Sequence, residues 1–271
     1  MAGRVERIGN CTLILGDNRV VDLPACDALI GDPPYGQRHK TNICGAGAQR
    51  NYRVGIAGGE RVLAENARVR NGVLRGTGRV TVWPDAIAGD DEDFDPTPWL
   101  QVAPRTLLWG AHKFADRLPA GRWLVWDKVP TGKVRDQGDG EAAWVNEPGP
   151  LRIYRLLWDG VCVGAAARHE VTAGQSRVHP MQKPVAVMSF CIDQMGLASG
   201  ATILDPWMGS GSTGVAAVLA GHPFVGVEMV PQFFETACRR IEAAHRQRDL
   251  FVAPAREPAP TQSAMFGGAD V

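Results

Sequence analysis

The chain has 271 residues, 45% of them hydrophobic, and its 29 basic residues balance its 29 acidic residues. This length suffices for one sizeable hydrophobic core and at most two domains. The zero net charge excludes bulk attraction to a nucleic acid or a membrane, so any nucleic-acid contact must come from local basic patches. The sequence contains no membrane-spanning apolar run and no signal core, and we expect a cytoplasmic protein without a membrane partner.

The predicted elements of the first half are strands. Short apolar runs at 11–17 and 27–32 predict buried strands, and both end in Gly-Asp, which places an acid just past each strand. The runs at 105–110 and 122–128 predict two further core strands. Less regular apolar runs follow at 142–145 and 152–158.

Helices and strands alternate in the second half. The predicted elements are a helix at 183–195, a strand at 201–205, a helix at 211–221, a strand at 223–228 and a helix at 231–245. Pro184 fits the first turn of its helix, and Gly221 fits a helix end. The alternation predicts an α/β fold with a mostly parallel sheet and helices on both faces.

Two regions interrupt this alternation. Residues 37–82 carry nine Lys or Arg against two Glu, and residues 90–95 are acidic, so 37–95 is predicted to be an insertion, functional or partly disordered. Residues 253–271 are rich in Pro, Ala and Gly, which is typical of a disordered tail. We therefore expect a single domain at 1–252 that carries the insertion.

A glycine loop follows the strand at 201–205. Gly209, Gly211 and Gly214 allow a ligand to approach the backbone, and the next helix offers free N–H groups. Glu228 ends the following strand, where a carboxylate binds ribose hydroxyls, so the pair predicts an adenosine-containing cofactor. The alternative is a tight turn with a solvated glutamate.

Asp205 bears on the kind of cofactor. It directly precedes the loop, where a carboxylate repels a pyrophosphate and attracts an ammonium group. This favours S-adenosylmethionine over NAD. The alternative is that Asp205 caps the following turn.

The stretch Asp32-Pro33-Pro34-Tyr35 follows the strand at 27–32. The Asp32 carboxylate and the Pro33 carbonyl could each accept one N–H of an exocyclic base amine and localise its lone pair. The prolines stiffen the turn and remove competing donors. Tyr35 could stack on the base, as aromatic rings do with bases taken out of a duplex. The alternative is a plain turn with a packed tyrosine.

Together these stretches resemble the β group of S-adenosylmethionine-dependent DNA amino-methyltransferases. Asp32 to Tyr35 matches the D-P-P-Y motif, and residues 204–212 match the cofactor motif, with Trp207 where Phe is usual. Residues 179–184 are similar to the H-P-x-Q-K-P stretch, and residues 226–241 to the ribose-binding strand and its helix. The resemblance covers most of residues 10–245.

The resemblance implies a Rossmann-like methyltransferase fold with a circularly rearranged motif order, because the catalytic motif precedes the cofactor motif. It implies site-specific methylation of a flipped base in double-stranded DNA. The target that it favours is adenine N6, since Asp is commoner than Ser in adenine enzymes, and cytosine N4 is the alternative. The implied catalytic residues are Asp32, Pro33, Pro34 and Tyr35. The implied cofactor residues are Asp205, Gly209, Gly211, Glu228, Lys183 and Asp17. It implies no metal, and the sequence shows no His/Cys cluster.

The interval at 147–178, where the family usually carries target recognition, is short here. We therefore expect the insertion to contact DNA through Arg50, Arg53, Arg61, Arg68, Arg70, Arg75 and Arg79. A solvated surface loop is the alternative. A second predicted contact comprises Arg168, His169, Arg177 and His179.

Three other functions stay open at this stage. The acceptor clamp also suits an RNA or protein-glutamine amino-methyltransferase. A NAD-dependent oxidoreductase would use the glycine loop but would leave Asp32 to Tyr35 without a role, and an inactive DNA-binding module is disfavoured for the same reason. We expect a bacterial or phage-encoded enzyme, either an orphan or one paired with a separate restriction endonuclease. Recognition sequence and oligomeric state are left open.

Overall fold

The computed structural model describes residues 3–36, 54–57, 60–63, 90–129, 138–157 and 181–249. The strands within these ranges are β1 (Arg4–Ile8), β2 (Cys11–Leu15), β3 (Ala28–Gly31), β4 (Val54–Ala57), β5 (Glu60–Leu63), β6 (Arg105–Trp109), β7 (Arg122–Asp127), β8 (Gly140–Val145), β9 (Arg152–Arg155), β10 (Ile203–Asp205) and β11 (Phe224–Glu228). The α-helices are α1 (Val185–Met195), α2 (Ser212–Ala220) and α3 (Pro231–Asp249). The tail at 253–271 and most of the insertion lie outside the described residues.

The main sheet has nine strands in the order β1-β2-β11-β10-β3-β6-β8-β7-β9, and β4 pairs with β5 in a separate antiparallel ribbon. The five strands from β2 to β6 in this order are parallel, as are β7 and β9. The strands β1 and β8 run antiparallel to their neighbours. The prediction of an α/β fold with a mostly parallel sheet is therefore confirmed.

The central strands are apolar on both faces because both faces are covered. On one face, Ile30, Leu107 and Ile203 join a core with the buried sides of α1, α2 and α3. On the other face, Leu108 and Leu204 join a second core around Phe114. Short 3₁₀ helices at 97–101, 111–113 and 115–117 lie on this second side. The two layers thus differ in the kind of helix that covers them.

The order in which the chain adds strands to the sheet reverses between β3 and β10. These strands are adjacent and parallel, yet β3 leads to β6 on one side and β10 leads through α2 to β11 on the other. Ligands of open α/β sheets bind outside the carboxyl ends of the strands at such a switch point. The fold therefore places a crevice between the residues that follow β3 and those that follow β10.

Two arginines fix the C-terminal end of α1 against the sheet. Arg122 donates to the carbonyl of Gln194 at 2.5 Å, and Arg105 donates to the carbonyl of Met195. Cations at a helix C-terminus satisfy free carbonyls and oppose the helix dipole. Glu147 pairs with Arg122 at 2.7 Å. The two arginine contacts hold α1, which begins two residues after Lys183.

The structure adds detail that the sequence analysis missed. The strand β1 was not predicted, although the Gly9-Asn10 pair between β1 and β2 is a hairpin signal, and Gly9 has a φ of +56°. Pro184 is the N-cap of α1 rather than a residue of its first turn. Within the described ranges, no helix is both long and apolar enough to cross a membrane.

Candidate active site

Asp32 directly follows β3 and lies beside the crevice with its side chain 23% exposed. The Lys183 ammonium donates a hydrogen bond to its Oδ2 atom. The Oδ1 atom is buried and accepts no hydrogen bond from the described residues. Burial raises the pKa of Asp32, and the Lys183 ammonium opposes that rise. Since buried polar atoms almost always have a partner, Oδ1 is a candidate acceptor for a ligand.

Lys183 lies between two carboxylates. Its Nζ atom pairs with Asp32 and lies 3.1 Å from Oε2 of Glu141, and its side chain is only 8% exposed. The Trp109 ring covers the ammonium, with its centroid 5.2 Å from Nζ. Burial disfavours the charged lysine, but the two carboxylates outweigh this cost and raise the pKa of Lys183.

Glu141 is held on its other oxygen by a second lysine. The Nζ atom of Lys128 donates to Oε1 of Glu141 and lies 4.8 Å from the centroid of the Trp126 ring. Burial opposes the ionisation of Glu141, yet Lys183 and Lys128 lower its pKa to about 2. Neither Glu141 nor Lys128 was predicted at the site, and no local sequence pattern marks them.

Tyr35 packs against a glycine that follows β6. Gly110 has a φ of +69°, and a Cβ atom added there would lie 2.2 Å from Cε1 of Tyr35. Burial is the main cause that raises the pKa of Tyr35. Gly110 therefore provides both the left-handed backbone and the space that the Tyr35 ring occupies.

Trp207, the residue at the unusual motif position, joins an aromatic cluster beside Asp32. A Cβ atom on Gly31 would lie 2.6 Å from its ring, so Trp207 rests on the backbone just before Asp32. The ring centroids of Trp99 and Phe94 lie 4.4 Å and 5.5 Å from that of Trp207. Trp99 and Phe94 are not predicted at the site by the sequence, because both belong to the predicted insertion or its border.

Asp205 ends β10 and is only 3% exposed. Its Oδ2 atom accepts a hydrogen bond from the Thr213 hydroxyl at 2.6 Å, and its Oδ1 atom accepts one from the Trp207 amide at 3.0 Å. Burial raises its pKa to about 7. The structure thus contains the capping contact that the sequence left open for Asp205, and the predicted ligand role stays a prediction.

Glu228 ends β11 and fixes the glycine loop. Its Oε2 atom accepts a hydrogen bond from the Gly209 amide at 2.9 Å, and its Oε1 atom accepts one from the Val230 amide at 2.7 Å. Burial raises the pKa of Glu228. Within the part of the chain that the structure describes, neither Glu228 nor Asp205 pairs with a lysine or arginine.

The other two glycines of the loop allow helix packing. A Cβ atom on Gly211, which has a φ of +80°, would lie 3.0 Å from Cβ of Ala237. A Cβ atom on Gly214 would lie 2.5 Å from Cδ1 of Ile241. Both contacts bring α2 close to α3. The glycine spacing therefore reflects packing as well as any ligand approach.

Asp17 follows β2 at the same edge of the sheet. It pairs with Arg19 at 2.7 Å and accepts a hydrogen bond from the Arg19 amide, so it orders its own turn. The neighbouring Asn18 donates to the carbonyl of Pro206 at 2.7 Å and ties this turn to the glycine loop. The sequence analysis missed Asn18, whose partner is distant in the chain.

The parallel strands bring Asp17, Asp32, Asp205 and Glu228 to one edge of the sheet. Among the predicted DNA contacts, Arg61 belongs to β5, and the remaining six arginines lie outside the described residues. The second predicted contact, with Arg168, His169, Arg177 and His179, also lies outside them. Among the described residues, no group of three His, Cys, Asp or Glu side chains could hold a metal.

Comparison with known proteins gives a family match over residues 127–239, to a family described as DNA methylase. The matched segment contains Glu141, Lys183, Asp205 and Glu228, and Asp32 lies outside it.

Two curated relatives match shorter segments. Over 68 residues the chain is 40% identical to the type II methyltransferase M2.DpnII of Streptococcus pneumoniae, which is 24% of each protein. Over 69 residues it is 38% identical to the DNA adenine methyltransferase YhdJ of Escherichia coli K12, which is 24% of this chain and 22% of that protein. The chain therefore spans less than a third of the length of the curated relatives that it matches.

Two solved structures are similar over most of the chain. The cytosine-N4-specific PvuII DNA methyltransferase has a TM-score of 0.47 and 12% identity, over 89% of this chain and 93% of that chain. The complex of M1.HpyAVI with SAM has a TM-score of 0.46 and 16% identity, over 85% of this chain and 98% of that chain.

Proposed function

We propose that this chain is a DNA amino-methyltransferase that methylates an exocyclic amine of a base in double-stranded DNA, in line with its match to a DNA methylase family. The methyl donor is S-adenosylmethionine and the favoured target is adenine N6. The observation that carries the proposal is the buried Oδ1 atom of Asp32, an acceptor without a partner in the described residues, at the switch point beside Asp205.

The first part of the proposal concerns the target amine. Oδ1 of Asp32 accepts one N–H of the amine and the Pro33 carbonyl accepts the other, which localises the nitrogen lone pair. When bound, S-adenosylmethionine supplies a sulfonium methyl group that is already electrophilic. The chain aligns the amine with that methyl and excludes water. As the new N–C bond forms, the bond between the methyl carbon and the sulfur would break, S-adenosylhomocysteine would leave with the electron pair, and Oδ1 of Asp32 would accept the proton that the amine loses.

The second part concerns the cofactor. Asp205 is a buried carboxylate with two internal hydrogen bonds and no cationic partner in the described residues. An ammonium group of the cofactor supplies the missing positive charge and stabilises the ionised carboxylate. Glu228 holds Gly209 through Oε2 and has no cationic partner in the described residues, and we assign the ribose hydroxyls to its carboxylate. A pyrophosphate has the wrong charge for this half of the crevice.

Adenine is the proposed base for two reasons. Asp rather than Ser stands first in the tetrapeptide at residues 32–35. One curated relative is named as a DNA adenine methyltransferase. Cytosine N4 is the competing target, and the arginines of the insertion remain the proposed DNA contacts.

The first experiment identifies the substrate. Purified protein is incubated with radiolabelled S-adenosylmethionine and duplex DNA, RNA or protein in parallel, and the DNA product is mapped by modification-sensitive sequencing. We expect label in duplex DNA, at N6-methyladenine within one sequence context. Label in RNA or protein alone would contradict the DNA assignment, and N4-methylcytosine would contradict the base.

A melting experiment identifies the cofactor separately. A ligand that binds the folded state raises the melting temperature. We expect S-adenosylhomocysteine to raise it and NADH to leave it unchanged, and the reverse pattern would exclude the methyltransferase proposal.

A further inference from the structure

We propose that Glu141 is a positioning residue that holds the Lys183 ammonium on Oδ2 of Asp32 and thereby keeps Oδ1 open to the target amine. The catalytic consequence rests on the proposed function. The statement about the three side chains concerns the chain alone and is tested without substrate.

The carboxyl edge of the sheet carries a row of alternating charges, which we call the charge row: Asp32, Lys183, Glu141 and Lys128. Asp32 follows β3, Lys183 precedes α1, Glu141 lies at the start of β8, and Lys128 follows β7. Because β8 runs antiparallel to β6 and β7, its first residues lie at the edge where the parallel strands end. The four formal charges sum to zero.

Burial makes these pairings necessary. A charged group removed from water is costly unless it is paired and hydrogen-bonded. Lys183 is nearly buried under the Trp109 ring, and its ammonium reaches one oxygen of Asp32 and one of Glu141. Glu141 in turn uses its other oxygen for Lys128. Glu141 is therefore fixed from one side and positions Lys183 from the other.

This sharing determines how Lys183 meets Asp32. An ammonium has three donors, and with a single carboxylate partner it can bridge both oxygens. Oε2 of Glu141 lies 3.1 Å from Nζ as an ion pair and not as a hydrogen bond, and its charge draws the ammonium away from Oδ1, so that Lys183 stays on Oδ2. Without the Glu141 charge, Lys183 moves onto both oxygens of Asp32. Oδ1 is then occupied, and the carboxylate becomes a weaker acceptor for the amine.

Among the described residues, the titratable groups that interact with Asp32 include Tyr35, Lys128, Glu141, Lys183 and Asp205. His112 acts on Glu141 from the 3₁₀ helix at 111–113. Loss of the Glu141 charge removes a negative neighbour and strengthens the hold of Lys183, and both changes favour the ionised form of Asp32. Loss of the Lys128 charge acts in the opposite direction.

The test uses Glu141→Gln, with Glu242→Gln on the exposed face of α3 as the matched control. At saturating cofactor and DNA we expect kcat of Glu141→Gln to fall about tenfold, as for supporting residues around a reactive group. The KM for the cofactor stays unchanged, and the acid limb of the kcat profile moves to lower pH. Glu242→Gln retains the wild-type kcat, cofactor KM and pH profile.

A second readout needs no ligand. The carboxyl carbon of Asp32 is titrated by ¹³C NMR in the apo protein and assigned with Asp32→Asn. We expect the midpoint to move to lower pH in Glu141→Gln and to higher pH in Lys128→Met. Loss of either charge shifts the Asp32 midpoint through space, so the two signs test the charge row, and the fall in kcat at an unchanged cofactor KM tests the positioning role. If Glu141→Gln does not fold, kcat of Lys128→Met, which frees the other oxygen of Glu141, is measured in its place, and a wild-type kcat there would overturn the positioning role.

Unchanged midpoints in the apo protein, or a wild-type kcat in Glu141→Gln, would overturn the positioning role. If the wild-type protein does not methylate DNA and the midpoints still move as expected, the charge row stands and the proposed function fails. The two failures are therefore distinguishable.

Discussion

The two sides of the switch point hold their acids in different ways. On the side of β10 and β11, Asp205 and Glu228 accept hydrogen bonds from backbone amides and a hydroxyl. On the side of β3 and β8, Asp32 and Glu141 pair with lysine ammonium groups. Burial raises the pKa of Asp205 to about 7, whereas two lysines lower that of Glu141 to about 2.

This difference indicates which ligand charge each side accepts. The Asp205 side has negative charge without a cation among the described residues, so a cationic ligand stabilises it. The Asp32 side is already balanced by Lys183 and Lys128, so it suits a neutral group such as an amine. The proposed methyl transfer from a sulfonium cofactor to a base amine would use both sides, with the cofactor ammonium at Asp205 and the amine at Asp32.

The largest expected effect comes from removing the Asp32 carboxylate, which pairs with Lys183. Asp32→Asn removes the acceptor for the amine proton, and we expect kcat to fall by about 100-fold or more, since charge-stabilising groups contribute at that level. Cofactor binding, measured by calorimetry, stays at the wild-type level because Asp32 lies on the other side of the crevice. The matched control is Asp116→Asn on an exposed turn. Full activity of Asp32→Asn would remove the proposed clamp.

The second prediction concerns Asp205, on the β10 side of the switch point. Asp205→Asn keeps the shape and the Thr213 contact but loses the negative charge. We expect S-adenosylmethionine to bind about 10- to 100-fold more weakly, since a hydrogen bond to a charged group is worth about 1.5–3 kcal/mol. For the wild type, binding weakens as the pH falls below 7 and Asp205 gains a proton. Calorimetry at several pH values measures the cofactor affinity of the variant and of the wild type. A wild-type affinity that does not change with pH would contradict the proposed contact between Asp205 and the cofactor ammonium.

The same substitution has an opposite effect on stability. Asp205 has a pKa of about 7 in the folded state against 3.8 for an ordinary Asp. The folded state therefore binds more protons across this window, and the Asp205 contribution to stability falls as the pH rises through it. We expect apo Asp205→Asn to match the wild type near pH 4 and to melt higher at pH 8, by about 2–4 °C per kcal/mol. A lower melting temperature at pH 8 would contradict this sign.

The smallest expected effect concerns the Tyr35 ring, which belongs to the same tetrapeptide as Asp32. Gly110→Ala places a Cβ atom against Tyr35 and forces a left-handed conformation on alanine, which costs about 1–2 kcal/mol. Gly200→Ala is the matched control, because Gly200 has a φ of +77° and open space around it. Both variants lose similar stability from the backbone, and only Gly110→Ala loses kcat as well. Equal kcat values would show that the Tyr35 position is not needed.

Local patterns were sufficient to predict most elements. The apolar runs predicted β2, β3, β6 and β7. Every residue of β3 is buried, and a strand buried on both faces is continuously apolar. Glycine predicted the end of α2, where Gly221 has a φ of +87°. The strand β1 was missed because its exposed residues lack an apolar run, and its hairpin signal is only two residues long.

The site was only partly predictable, because some of its contacts join residues that are distant in the chain. Asp32, Asp205 and Glu228 follow strands and were found because strand ends of a parallel sheet meet at one edge. Glu141 and Lys128 were missed, because β8 inserts between β6 and β7 against the chain order. Their roles depend on that insertion and not on neighbouring residues.

The sequence by itself determined most of the strands and helices, the helix end at Gly221 and the acids at the strand ends, since these depend on residues close in the chain. Only the tertiary structure decided how each acid is neutralised. Lys183 reaches Asp32 across 151 positions, and Gly209 reaches Glu228 across 19. Charge pairing acts over a few ångströms in space, whatever the separation along the chain, so the protonation and the ligand preference of each acid follow from the fold.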